Sequence, residues 1–230
     1  MGSEDLFGKR EASDLKSKNK PNTRDFKKRF LIVCEGEKTE PNYLRALRGD
    51  LKIQPTLVDI VHPKDNSPMG IFTHAKEVYE QSKEQDDPYD QVYCVFDRDT
   101  HESFEEALNK IKNTENFEAI TTNPCFEFWL LLHFKYTSAA YKQKDKKSVG
   151  DQAKHELKQL DVFTNYKKGQ KDIYLLCKEN LSIAITNAKQ LRKEMEDSVS
   201  QKNNPQIDAN PWTNFDMLVE AIQNQSKKLL

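Results

Sequence analysis

Apolar residues in the first half of the chain fall into short continuous runs, which alternate with stretches of helical periodicity. The first run, FLIVCEG, begins at Phe30, and the later runs occupy residues 57–61, 91–96 and 117–121. Such runs are typical of buried parallel strands. The helical stretches between them occupy residues 40–49, 71–85 and 102–113. This β-α-β-α-β-α-β alternation predicts an α/β fold, in which helices cover both faces of a parallel sheet.

The second half of the chain has a different character. The sequence FEFWLLLHF, which follows Asn123 and Pro124, is apolar nearly all round and predicts a buried helix. Residues 137–171 are rich in lysine and predict a loop with one short helix. Helical periodicity then covers residues 172–199, and a last helix is expected to begin near Thr213. We therefore predict a helical extension rather than a second sheet.

Three segments follow from these patterns. Residues 1–28 lack apolar periodicity and predict a disordered basic arm. Residues 29–136 form the predicted α/β domain. Residues 137–230 form the predicted lysine-rich loop and helical extension, packed on the α/β domain.

Charge is unevenly distributed around a net value of −1. Residues 30–134 carry ten Lys or Arg against twenty Asp or Glu, whereas residues 135–171 carry ten lysines against four acids. An acidic centre suits a cation, and basic flanks suit a polyanion such as nucleic acid. Without a secretory signal or a long apolar run, and with four isolated cysteines, the chain is expected to be cytoplasmic and to have no membrane partner.

Carboxylates follow two of the predicted strands. Glu35 follows the first strand, and Asp97 and Asp99 follow the third. Ligands bind beyond the carboxyl ends of strands in open parallel sheets, and carboxylate oxygens are ligands for Mg²⁺ or Mn²⁺. Together the three acids predict a divalent-metal site, although Gly36 alone could reflect a turn and Asp99 alone a helix cap.

Further charged residues are candidates for the same site. Glu127 lies in the predicted apolar helix. It could be a further metal ligand, could orient a basic residue, or could be a favourable charge near the helix N-terminus. Lys38 and Arg98 are candidates for phosphate contacts. Four more candidate nucleic-acid-binding residues lie in the lysine-rich stretch: Lys142, Lys144, Lys146 and Lys147. Each lysine could also be an ordinary solvated side chain.

The segments LIVCEGEKTEPNYL and VFDRDTH resemble the Toprim pattern, in which one strand ends in a glutamate and a later strand ends in Asp-x-Asp. The segments CEGEKTEPNYL, FDRDTH, NPCFEFWLLLHF and NPWTNFDMLVEAI together resemble the RloB-like proteins. This resemblance implies a Toprim-like sheet in which Asp97 and Asp99 hold Mg²⁺. It also implies that Glu35 acts as general base or acid, or as a second metal ligand.

One position departs from the Toprim pattern. Many Toprim nucleases place a second acid four residues after the glutamate. Here that position is Thr39, and the acid is Glu40. Whether Glu40 joins the site, and whether one or two metals bind, is therefore open at this stage.

The resemblance implies a metal-dependent nuclease that cleaves DNA or RNA. It further implies a role in anti-phage defence or abortive infection with an AAA-type ATPase partner. The main alternative is a non-catalytic subunit that binds a nucleotide or nucleic acid and regulates the ATPase, and a nucleotidyl or phosphoryl transferase is a second alternative. The chain has only seven glycines and no glycine-rich phosphate loop, which favours the nuclease over a nucleotide binder.

Overall fold

The computed structural model describes residues 28–98, 101–143, 148–198 and 204–227. The predicted arm, apart from Lys28, lies outside the described residues, as do Asp99, Lys144, Lys146 and Lys147. The strands are β1 Phe30–Cys34, β2 Val58–Val61, β3 Gln91–Asp97, β4 Phe117–Asn123 and β5 Trp212–Thr213. The helices are α1 Thr39–Asp50, α2 Pro68–Glu84, α3 Phe104–Lys112, α4 Glu127–Leu132, α5 Val149–Leu157, α6 Ile173–Cys177, α7 Leu181–Ser198, α8 Pro205–Asp208 and α9 Phe215–Lys227.

The five strands form one sheet in the order β2-β1-β3-β4-β5. Strands β1 to β4 run parallel, and only β5 pairs antiparallel, with β4. After β1, the chain forms β2 on one side of β1 and then crosses over to form β3 on the other side of β1. Strands β1 and β3 therefore flank the point at which the strand order reverses, which is where open α/β sheets bind ligands.

Each face of the sheet is covered by helices, so its strands are apolar throughout. Leu31 and Val33 of β1 belong to a core with α2 and α3. Phe30, Ile32 and Cys34 belong to a larger core on the other face, built with α1, α4 and the C-terminal helices. The α/β prediction is confirmed. Among the described residues, no helix is both long enough and apolar enough to cross a membrane.

The helical extension differs from its prediction in two places. The periodicity over residues 172–199 suggested one helix, but α6 and α7 are separated by a 3₁₀ turn, Lys178–Asn180. The apolar positions Leu176 and Leu181 are five residues apart, so an unbroken helix could not direct both to the same face. The extension also contributes β5 to the main sheet, a two-residue strand too short to show any alternation.

A buried ion pair ties the last two long helices together. Arg192 of α7 donates to both carboxylate oxygens of Asp216 in α9, with Nη2 at 2.7 Å from Oδ2, and Arg192 Nη1 also donates to the Thr213 carbonyl at 3.1 Å. The Asp216 side chain is fully buried. The neighbouring ion pair between Lys189 and Glu220 joins the same two helices but is exposed to solvent. The exposed fraction is 50% for the Lys189 side chain and 37% for the Glu220 side chain.

We predict that Arg192→Met lowers the free energy of unfolding by about 3–5 kcal/mol, because it leaves the Asp216 carboxylate buried without its partner. Lys189→Met is the matched control and should cost at most about 1 kcal/mol, since its pair is exposed. Urea denaturation of both variants measures the difference. Equal losses would contradict the assignment of Asp216 as a buried charge that depends on Arg192.

Candidate metal centre

Glu35 and Asp97 lie together at the carboxyl ends of β1 and β3. The strands pair in register with Cys34 opposite Val95, so Glu35 directly follows the last paired residue of β1, and Asp97 lies two residues beyond Val95, at the end of β3. The Glu35 backbone N–H donates to the Val95 carbonyl at 2.8 Å, and the Asp97 N–H donates to Glu35 Oε2 at 2.8 Å. The side chain of Glu35 is thereby held against the end of β3, at the switch point of the sheet.

Glu40 brings a third carboxylate to the same place. Helix α1 begins at Thr39, and its N-cap is Lys38, which makes no side-chain capping hydrogen bond. Glu40 consequently falls in the first turn, 7% exposed, and its Oε2 has no hydrogen-bond partner among the described residues. A Cβ on Gly36 would lie 1.9 Å from that oxygen, so with the carboxylate in this position residue 36 has no room for a side chain.

Glu127 supplies a fourth carboxylate. It is the first residue of α4 and only 3% exposed, and its Oε1 accepts a hydrogen bond from the Tyr166 hydroxyl at 3.0 Å. Tyr166 reaches it from the lysine-rich region. Glu127 is therefore a buried, hydrogen-bonded acid in the first turn of α4, and its charge acts on Asp97 and Glu40.

Burial and mutual repulsion shift the titration of these acids. Burial raises the pKa of Asp97 well above its usual value, and the charges of Glu35, Glu40 and Glu127 raise it further, against a backbone hydrogen bond from Phe126. Burial likewise raises the pKa of Glu40 from 4.5 to about 7. Its own backbone N–H and Lys168 lower that value, while Glu127 and Glu35 raise it. A cation among these carboxylates would relieve the repulsion.

The donor set fits a hard divalent cation. The candidate ligands are all carboxylate oxygens, which Mg²⁺ and Mn²⁺ prefer, and the unpartnered buried oxygen of Glu40 is available for coordination. Within the described ranges, no group of three or more His, Cys, Asp or Glu side chains is already close enough to hold a metal ion. Asp99 lies outside those ranges, so the predicted three-acid set is represented there by Glu35 and Asp97.

Two cavities open at these acids. A cavity of about 300 Å³ is lined by Glu35, Glu40 and Asp97 together with Lys38 and Lys168. A larger cavity of about 820 Å³ also contains Glu35, Asp97 and Lys168, and it extends past Arg98 to the start of α5. The acids therefore face space large enough for a phosphate and an attached nucleoside.

The predicted phosphate-binding residues differ in where they lie relative to the two cavities. Lys38 is exposed and lines the smaller cavity. Arg98 lines the larger cavity, but Phe104 and Ile207 hold its guanidinium: Cζ lies 4.6 Å from the Phe104 ring, and Nε donates to the Ile207 carbonyl at 3.3 Å. Lys142 is exposed and lines neither cavity.

A model of the RloB-like protein family matches residues 30–222, from the first residue of β1 to the middle of α9. The chain belongs to this family. The match includes both strand ends, α4 and the segment that carries Tyr166. Comparison with curated proteins gives no match.

Two residues of this RloB-like protein reach the site without having been predicted. Tyr166 and Lys168 lie about 130 residues after Glu35 in a lysine-rich stretch. In that stretch, neither apolar periodicity nor a sequence motif distinguishes these two residues from their solvated neighbours. Tertiary contacts bring them to the acids, among them the hydrogen bond from Gly169 N–H to Thr39 Oγ1 of α1 at 3.0 Å.

The raised pKa of Glu40 predicts a pH dependence for the metal-free RloB-like protein. Between pH 4.5 and about 7, folded Glu40 retains a proton that the unfolded chain has lost. The free energy of unfolding should therefore fall as pH rises through this window. Glu40→Gln should reduce the fall, whereas Mn²⁺ at pH 8 should stabilise the parent protein.

Chemical denaturation at pH 5 and pH 8, without divalent ions, measures this effect. Glu77→Gln is the control, since Glu77 is exposed on α2 and lines neither cavity. Identical pH slopes for Glu40→Gln and the parent protein would show that Glu40 titrates normally.

Proposed function

We propose that this protein is a divalent-metal-dependent nuclease that hydrolyses phosphodiester bonds in DNA or RNA with Mg²⁺ or Mn²⁺. The observation that carries the proposal is the convergence of Glu35, Glu40 and Asp97 on one cavity at the switch point, near enough to Glu127 for its charge to act on Glu40 and Asp97. In the described ranges, no basic side chain lies within ion-pair distance of Glu40, Asp97 or Glu127. Buried acids without a counter-charge are costly, and a bound cation offsets that cost.

Asp97 is the proposed metal ligand at the end of β3, with Asp99 as its partner and Glu40 or Glu127 as further candidates. Bound metal would lower the pKa of a coordinated water and stabilise charge on the phosphate. Glu35 is the proposed proton acceptor, because its Oε2 is fixed by the Asp97 N–H and its side chain lines both cavities. The same position also allows Glu35 to serve as a second ligand.

Basic side chains around the cavities support a nucleic-acid substrate. Lys38 and Lys168 are exposed at the smaller cavity, and Lys154 lines the larger one. Contacts from such side chains to phosphates add affinity without reading sequence. Membership of the RloB-like family supports the further proposal that the nuclease acts in anti-phage defence, or abortive infection, with an AAA-type ATPase partner.

The alternative is a non-catalytic subunit that binds nucleotide or nucleic acid and regulates the ATPase. One observation favours it: the described acids do not form a ready-made metal-binding group. In that case Glu35 and Asp97 would recognise a ligand without activating water.

The two functions are separated by incubating plasmid, single-stranded DNA and tRNA with the protein in Mg²⁺ or Mn²⁺, with and without the ATPase. We expect cleavage by the parent protein. Glu35→Gln should lower the rate by about 10²–10⁴-fold, because it removes a general base while keeping the shape of the side chain. Glu77→Gln, at an exposed acid of α2 that lines neither cavity, should cleave like the parent protein.

Partial recovery of Glu35→Gln in excess Mn²⁺ would identify Glu35 as chiefly a metal ligand. No cleavage of any substrate by the parent protein, with the ATPase present, would rule out the nuclease. A Glu35→Gln effect confined to the ATPase rate would then support the regulatory subunit.

A further inference from the structure

A loop of the lysine-rich region, residues 166–170, is fixed to the candidate metal centre at both ends. Tyr166 donates from its hydroxyl to Glu127, as described above, and its ring is buried beside Phe163. At the other end, the Gly169 N–H donates to Thr39 Oγ1 at 3.0 Å, and Asn42 Nδ2 donates to the Gly169 carbonyl at 3.0 Å. The loop therefore has a defined position over the first turn of α1.

Gly169 permits this close approach. Its φ is +84°, in the left-handed region that glycine adopts without strain. A Cβ at this position would lie 3.1 Å from both Cβ and Cδ of Lys38. A side chain here would push the loop away from α1, and with it the residue that precedes Gly169.

That preceding residue is Lys168, which lines both cavities together with Glu35 and Asp97. Burial lowers its pKa, but Glu40, Glu127, Asp97 and Glu35 outweigh burial and raise the pKa overall. The ammonium thus stays charged. It nevertheless forms no ion pair within 4.0 Å of any acid in the described ranges.

This placement differs from that of a structural counter-ion. A lysine that neutralises a carboxylate approaches it to about 2.7–2.9 Å. Lys168 instead is exposed and forms no such contact, although the charges of the four acids act on it. The cavity of about 300 Å³ that it shares with Glu35, Glu40 and Asp97 has room for a tetrahedral phosphate, whose oxygens the ammonium could contact.

We propose that Lys168 is a catalytic residue, which the helical extension supplies to the α/β domain and which binds a non-bridging oxygen of the scissile phosphate. This inference rests on the proposed nuclease function. Water oxygen forms the new P–O bond, its proton passes to Glu35, and the bond to the leaving oxygen breaks as that oxygen takes a proton from solvent. Lys168 keeps its protons throughout and stabilises the charge that develops on the phosphate.

The test compares Lys168→Met and Lys168→Arg with Lys167→Met, a control in the same loop whose side chain is exposed and lines neither cavity. At saturating substrate, Lys168→Met should lower kcat by about 10²–10³-fold, the cost of removing one preorganised donor. Lys168→Arg should recover much of the rate, and Lys167→Met should behave like the parent protein. Mn²⁺ affinity should hold or rise in Lys168→Met, because a positive charge near the acids is removed.

A second readout does not depend on cleavage. Anisotropy of a labelled single-stranded oligonucleotide, bound in Mn²⁺ to the Glu35→Gln background, gives the salt dependence of affinity. Lys168→Met should reduce the slope of log affinity against log salt by about 0.7–0.9, the loss of one phosphate contact, whereas Lys167→Met should leave it unchanged.

The outcomes separate the two proposals. If the parent protein cleaves no substrate, the nuclease function fails, but the salt slope still decides whether Lys168 binds phosphate. A slope and a kcat for Lys168→Met equal to those of Lys167→Met would overturn the role of Lys168. Weaker Mn²⁺ binding in Lys168→Met would also overturn it, because it would show that the residue supports the metal site itself. Failure of the oligonucleotide to bind at all would overturn both proposals.

Discussion

Repulsion among partly and fully buried carboxylates is the constraint on which the site depends. Burial alone would favour the neutral form of Asp97, and three neighbouring acids add to that effect. The scaffold nevertheless holds these acids in place: parallel pairing of β1 with β3 fixes Glu35 against Asp97, and Gly36 leaves space for the Glu40 carboxylate. A chain that maintains such an arrangement gains most when a divalent cation occupies it.

The site is built from both halves of the chain. Strand ends and the first turn of α1 contribute acids, while the segment around Tyr166 and Gly169 contributes a hydrogen bond to Glu127 and a nearby cation. The helical extension is in turn secured to the sheet through β5 and the buried pair of Arg192 with Asp216. Loss of structure in the extension would therefore also disrupt the site.

Sequence patterns predicted the sheet and the meeting of Glu35 with Asp97, because continuous apolar runs mark buried parallel strands and their carboxyl ends share an edge. The sequence left the role of Glu40 open, because that role depends on where α1 begins. A shift of one residue in the start of the helix decides whether the Glu40 side chain faces the core. Lys168 was missed because its position depends on a hydrogen bond between residues 130 positions apart, Gly169 and Thr39. Contacts of that kind leave no periodic signal.

The most direct test of the metal centre is anomalous diffraction from crystals of the protein grown or soaked with Mn²⁺. A metal site at the carboxyl ends of β1 and β3 predicts an anomalous peak there, with Asp97 among the coordinating residues, and no such peak in Asp97→Asn. A peak elsewhere on the protein would contradict it, and so would full Mn²⁺ occupancy at this edge in Asp97→Asn.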